Sequence, residues 1–109
     1  MNAPGASCNV PSSGAEETSC FLQAYKSADR DLNRTYDRIQ KFLRGDDGSK
    51  QLLSAQRLWL QFRDANCAAE RGLYSGGSAA PMVYYACMEA VTRQRTAELR
   101  TMYDWLLNK

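Results

Sequence analysis

The chain of 109 residues contains no histidine. That absence removes the side chain that most often serves as general acid or base near neutral pH, as metal ligand, and as partner of a nucleophilic serine or cysteine. No window alternates apolar and polar residues, so β-structure is not expected. No apolar run approaches the length of a membrane-spanning helix. Charge of one sign is also scarce. The net charge of +2 is too small for a nucleic-acid-binding protein, which carries a concentrated basic face. The segment Met1-Asn2-Ala3-Pro4-Gly5 lacks the basic start and apolar stretch of a signal peptide.

Against these absences stand four cysteines, Cys8, Cys20, Cys67 and Cys87. An even count in a short chain reads as a disulfide framework in an exported protein. Cysteines also occur reduced in the cores of cytosolic proteins, but Cys8 and Cys20 fall near an N-terminal loop rather than inside a core pattern. The spacings are far longer than the Cys-x₂₋₄-Cys of structural zinc sites, so no metal or other cofactor is expected. The composition, 44% hydrophobic and 24% charged, is that of a soluble globular protein, and the length suits one domain over residues 1–109. The expected location is the periplasm or the extracellular space, with a leader already removed.

Residues 1–14 carry Pro4, Gly5, Pro11, Ser12, Ser13 and Gly14 and read as a loop. Helix-period apolar positions then predict three helices, at about 15–44, 49–72 and 79–107. The first presents Leu22, Tyr25, Leu32, Tyr36, Ile39 and Leu43 inward. Its opposite face carries Lys26, Arg30, Arg34, Arg38, Lys41 and Arg44, six basic residues interleaved with three acidic ones, Asp29, Asp31 and Asp37. Such a stripe reads as a solvated face or as a seat for an anionic surface. Gly45-Asp46-Asp47-Gly48 turns the chain. The second helix is expected to bury Leu52, Ala55, Trp59, Phe62 and Cys67, widened by Leu53 and Leu60. The third is expected to bury Tyr84, Cys87, Val91, Leu99, Met102 and Leu106. Short connections give an up-down-up, all-α antiparallel three-helix bundle with all four cysteines at one end. Three pairings are then open. The local ones, Cys8–Cys20 and Cys67–Cys87, are favoured because the second clamps the two ends of the Gly-Gly loop.

Several motifs occur together: two cysteines a dozen residues apart, Leu32-Asn33-x-x-Tyr36, Gln56-Arg57-x-Trp59-x-x-x-Arg63, and then Cys67 and Cys87, preceded by Gly76-Gly77-Ser78. Over residues 8–100 or so this combination resembles the LprI-type lysozyme inhibitor family of bacterial envelope proteins. The resemblance implies an exported, disulfide-containing helical domain. It also implies a protein partner, either a lysozyme or a toxin that attacks peptidoglycan, in which case the chain serves as an immunity protein. A weakly basic chain suits a target with an acidic surface, which ranks immunity level with inhibition of the generally basic lysozymes of animal type. The alternative is a non-inhibitory envelope module that binds a wall polymer or scaffolds another protein.

Within the motifs, Trp59, Tyr36 and Leu32 read as core residues. Asn33, Gln56, Arg57, Arg63 and Arg95 read as a structural polar network beside the core, in which Arg95 should find a carboxylate such as Asp31 or Asp64. The segment Arg71, Tyr74, Ser75, Gly76, Gly77, Ser78 is the candidate partner-binding loop. A braced loop loses little entropy on binding, and tyrosine is a frequent interface anchor. No catalytic residue is assigned. The paired acids Glu16-Glu17 and Asp46-Asp47 are adjacent and face different directions, so neither forms an acid/base couple. The expected mechanism is therefore occlusion, with no chemistry of the chain's own. Thiol titration of the unfolded, non-reduced protein should detect no free cysteine; four reactive thiols would contradict the disulfide framework.

Overall fold

The computed structural model describes Cys8 and residues 14–108. The rest of the loop expected at the N-terminus lies outside the described residues. Four helices follow one another: α1 (Gly14–Leu43), α2 (Asp47–Gly72), α3 (Ala80–Met102) and the single turn α4 (Asp104–Leu107). The described residues contain no strand.

Helix α1 starts with Glu16 and Glu17 in its first turn, where carboxylates favour the positive end of the helix dipole. It stops because two successive residues turn left-handed, Arg44 at φ 42° and Gly45 at φ 72°. Asp46 then caps α2, its carboxylate accepting from Ser49 N at 3.0 Å. This cap starts α2 two residues earlier than expected. Pro81 sits in the first turn of α3, where its missing N–H costs nothing.

The helices run up, down, up. Helices α1 and α3 are therefore parallel and pack along each other over most of their length, while α2 lies mainly on α3 and touches α1 at few points. The result is a flat body of 48 × 24 × 16 Å. Its core falls into three clusters. Leu32, Ile39, Leu52, Leu99, Leu106 and Leu107 fill one end, with Tyr36, Leu43, Trp59 and Tyr103 against them. Cys67, Cys87 and Met88 lie midway towards the other end, with Tyr25 and Tyr84 alongside. Cys8, Phe21 and Ala86 close that far end.

Both cysteine pairings are the local ones. Cys8 bonds Cys20 with a Cα–Cα distance of 5.7 Å, and Cys67 bonds Cys87 at 5.5 Å. Each closes a short loop and so contributes about 3 kcal/mol through the unfolded state.

Two expectations need correction. The third helix does not continue unbroken to Leu107. It stops at Tyr103, where φ −112° and ψ 23° leave the helical region. The short α4 that follows folds Leu106 and Leu107 into the core, and Arg38 donates to the Leu107 carbonyl at 2.9 Å. Met102, expected inside, is exposed as a result.

Helix α2 is also rotated from its expected phase. Its inward positions are Leu52, Gln56, Arg63 and Cys67, with Trp59 half-buried beside them. Phe62 and Leu58 instead face solvent, 59% and 66% exposed, and Ala55, Leu53 and Leu60 are exposed as well. Leu99, completely buried between α1 and the end of the bundle, is the test of the core. Leu99→Ala should cost about 2–5 kcal/mol of unfolding free energy in a denaturant titration; a change below 1 kcal/mol would contradict this packing.

Candidate functional site

The rotation of α2 has an electrostatic cause. Gln56, Trp59 and Arg63 share one face of the helix at spacings of three and four residues, and that face meets α3 and α1. Arg63 is almost wholly buried. Its Nε donates to Asp64 at 3.0 Å, its Nη1 lies 3.4 Å from the Thr92 hydroxyl and 3.6 Å from an Asp29 oxygen, and its guanidinium sits over the rings of Trp59 (5.3 Å) and Tyr25 (5.6 Å). Arg95 comes from α3 to the same indole at 5.9 Å and donates to Gln56 Oε1 at 2.9 Å. Stacking of this kind is worth about 0.5–2 kcal/mol per contact, more as the cation is desolvated. The motif Gln56-x-x-Trp59-x-x-x-Arg63 is thus the seam that seats α2 on α3. Burial raises the Tyr25 phenol above its ordinary value, and the neighbouring Arg63 partly offsets this.

Other parts of the expected network fall elsewhere. Arg95 meets Gln56 and Glu98 rather than Asp31 or Asp64: Asp64 is held by Arg63, and Asp31 lies between Arg34 and Arg93. Tyr36 packs on the lower core and accepts from Gln40 Nε2 at 2.9 Å. Asn33 and Arg57 are exposed and take no part in the seam. Glu89, which the sequence reading passes over, is completely buried. Its Oε2 accepts from Arg93 at 3.0 Å, while its Oε1 has no hydrogen-bond partner among the described residues. The signal that could have found it is the four-residue spacing to Arg93 at the end of an otherwise uncharged window.

The candidate loop lies between α2 and α3, next to the Cys67–Cys87 bond. It is more ordered than its Gly-Gly sequence suggests. Consecutive turns run through it: Leu73 N to Glu70 O, Tyr74 N to Arg71 O, Ser75 N to Gly72 O, Gly77 N to Tyr74 O and Ala80 N to Gly77 O. Gly76 takes φ 84°, which glycine adopts without strain. A Cβ on Gly77 would come within 3.2 Å of the Tyr74 carbonyl. Arg71 is fixed at the base, its guanidinium 4.6 Å from the centre of the Tyr84 ring. All of Arg71, Tyr74, Ser75, Gly76, Gly77 and Ser78 are exposed. The sequence reading omitted the most prominent member, Leu73, which is 82% exposed beside Tyr74 at 48%. From Gly72 to Met88 the chain carries no charge, so the loop and the start of α3 form a neutral, partly apolar tip. Among the described residues no cluster of acids and cysteines could hold a metal, and no helix is long and apolar enough to cross a membrane.

Two bonded cysteine pairs, three long helices and a polar seam built from one motif define a disulfide-stapled helical domain. Residues 8–99 match the model of the lysozyme inhibitor LprI family, and the chain belongs to that family. A protein of Rhizobium meliloti (strain 1021) described only as uncharacterized is 30% identical over 113 residues, covering 93% of this chain and 81% of the relative. No solved structure matches.

The seam and the surface are separable by mutation. Arg63→Ala should cost about 1–3 kcal/mol, because it removes a buried side chain from between α2 and α3 and leaves the buried Thr92 hydroxyl without its donor. Arg57→Ala, one helix face away, should stay within about 0.5 kcal/mol of the parent. Equal effects of the two in chemical denaturation would contradict the seam.

Proposed function

We propose that the chain is an extracytoplasmic inhibitor of a peptidoglycan-degrading enzyme, acting by inserting the α2–α3 loop into the enzyme's substrate cleft. One observation carries this reading: an exposed apolar pair, Leu73 and Tyr74, stands on a turn-ordered loop that a buried disulfide braces at its base. Membership of a lysozyme inhibitor family supports a protein partner of this kind. The disulfides support work in an oxidising compartment, periplasmic or extracellular.

The physics of such a plug is favourable. The loop's shape is set before binding, so little chain entropy is lost when it docks. A neutral tip brings no charge that must be stripped of water inside a cleft. Arg71, at the loop's base, adds a cation suited to the carboxylates with which most glycosidases act on sugars. An interface that blocks a cleft would bury on the order of 1,200–2,000 Å² in total. The inhibitor contributes no reacting group.

Two target classes fit the same surface: a lysozyme, and a wall-degrading toxin against which the chain would confer immunity. The weakly basic charge of +2 favours a target with an acidic surface.

Peptidoglycan turbidity assays test the proposal. The native chain should preserve turbidity against its target, and Leu73→Ser/Tyr74→Ala should weaken inhibition about thirtyfold, as expected for a hot spot worth 2 kcal/mol. Phe62→Ser, on the exposed face of α2, should leave it unchanged. Inhibition indifferent to the loop pair but lost with Phe62→Ser would place the contact on α2. Sedimentation with purified sacculi in the absence of any enzyme, with no inhibition of any hydrolase, would instead support a wall-binding module.

A further inference from the structure

At the end of the bundle far from the disulfides, the basic stripe of α1 meets the end of α3 and the turn α4. Together they enclose a cleft of about 320 Å³ lined by Arg34, Thr35, Arg38, Arg100, Asp104 and Leu107. That volume lies at the small end of the range for ligand pockets.

The polar groups around this cleft are unevenly satisfied. Arg34 is paired with Asp31 at the rim. Arg38 spends one N–H on the Leu107 carbonyl at 2.9 Å, which fixes its guanidinium in place and leaves other donors free, since the group has five. Arg100 makes no ion pair or hydrogen bond with any described residue. Thr35 is 94% buried, by its relative exposure of 6%, and its hydroxyl likewise has no hydrogen-bond partner among the described residues. The one carboxylate of the cleft, Asp104, accepts from Asn108 and does not neutralise Arg100. With Arg34 neutralised by Asp31, two cations, Arg38 and Arg100, face one anion, so the cleft keeps an excess of one positive charge.

We infer that this cleft binds a phosphomonoester group, with Arg38 and Arg100 as its charged clamp and the Thr35 hydroxyl as a third donor. The two guanidinium charges of the clamp match a phosphomonoester, which carries close to two negative charges above its second pKa of about 6. Guanidinium groups fit phosphate oxygens with paired N–H donors, and a carboxylate offers fewer oxygens to a three-sided donor set. The cleft holds one phosphoryl group and a small alcohol. This site is remote from the α2–α3 loop and independent of any inhibition through it.

The test is an NMR titration of the arginine Nε–Hε signals with glycerol phosphate at constant ionic strength. Saturable shifts at Arg38 and Arg100 are expected, with the affinity lowered about tenfold by Arg100→Ala, partly restored by Arg100→Lys, and unchanged by Arg57→Ala. Arg100 is exposed, so its replacement should not disturb folding. A parallel sedimentation with vesicles containing phosphatidic acid identifies the source of the group. Cosedimentation that depends on Arg100 places it on a lipid headgroup; glycerol phosphate binding without cosedimentation places it on a soluble ester. Shifts no larger than those given by acetate, or shifts and sedimentation both indifferent to Arg100→Ala, would overturn the assignment.

Discussion

The Cys67–Cys87 bond is the constraint on which the seating of α2 and of the α2–α3 loop depends. Both residues are completely buried, and they tie the last turns of α2 to the first half of α3. Helix α2 needs such an anchor. It touches α1 at few points, leaves Leu58 and Phe62 in solvent, and presents α3 with a face half made of polar groups. Area burial alone would hold it weakly. The covalent tie and the stacked arginines replace the hydrocarbon contact that a conventional bundle would use.

This arrangement leaves the α2–α3 loop outside the packing that holds the helices together. Gln56, Trp59, Arg63 and Arg95 look inward and fix how two helices sit together. The loop that follows α2 is left with nothing to stabilise, and it exposes Leu73 and Tyr74 to solvent. Residues that mark the family in sequence are thus mostly those that build the scaffold. The exposed part of the loop beyond Arg71 is short, neutral and carried on turns.

Much of the fold was legible from sequence, for physical reasons. Three helical periodicities separated by Gly-rich connections leave few arrangements, and short connections force antiparallel neighbours. The cysteines are then expected at one end, which leaves three pairings open; the local ones, favoured for clamping the Gly-Gly loop, are those formed. The phase of α2 was not legible, because hydrophobic periodicity assumes that apolar residues face the core. Here Arg63 and Gln56 face it, each with partners supplied by helices distant in sequence: Asp29 and Tyr25 on α1, Thr92 and Arg95 on α3. The break at Tyr103 carries no glycine or proline to announce it; it is set by the burial of Leu106 and Leu107 and by Arg38 on the terminal carbonyl. The candidate loop was found by composition, but Leu73 was not. An isolated leucine before Tyr74 reads as the end of an apolar stripe until the chain's exit direction is known.

The most direct test removes the tie and asks whether blocking survives. The double replacement Cys67→Ala/Cys87→Ala, compared with the native chain by circular dichroism and by the concentration needed to halve peptidoglycan hydrolysis, reads scaffold and loop separately. Helical content near that of the parent together with a large loss of inhibition is the expected result. Undiminished inhibition by the unstapled chain would contradict a pre-shaped loop as the blocking element.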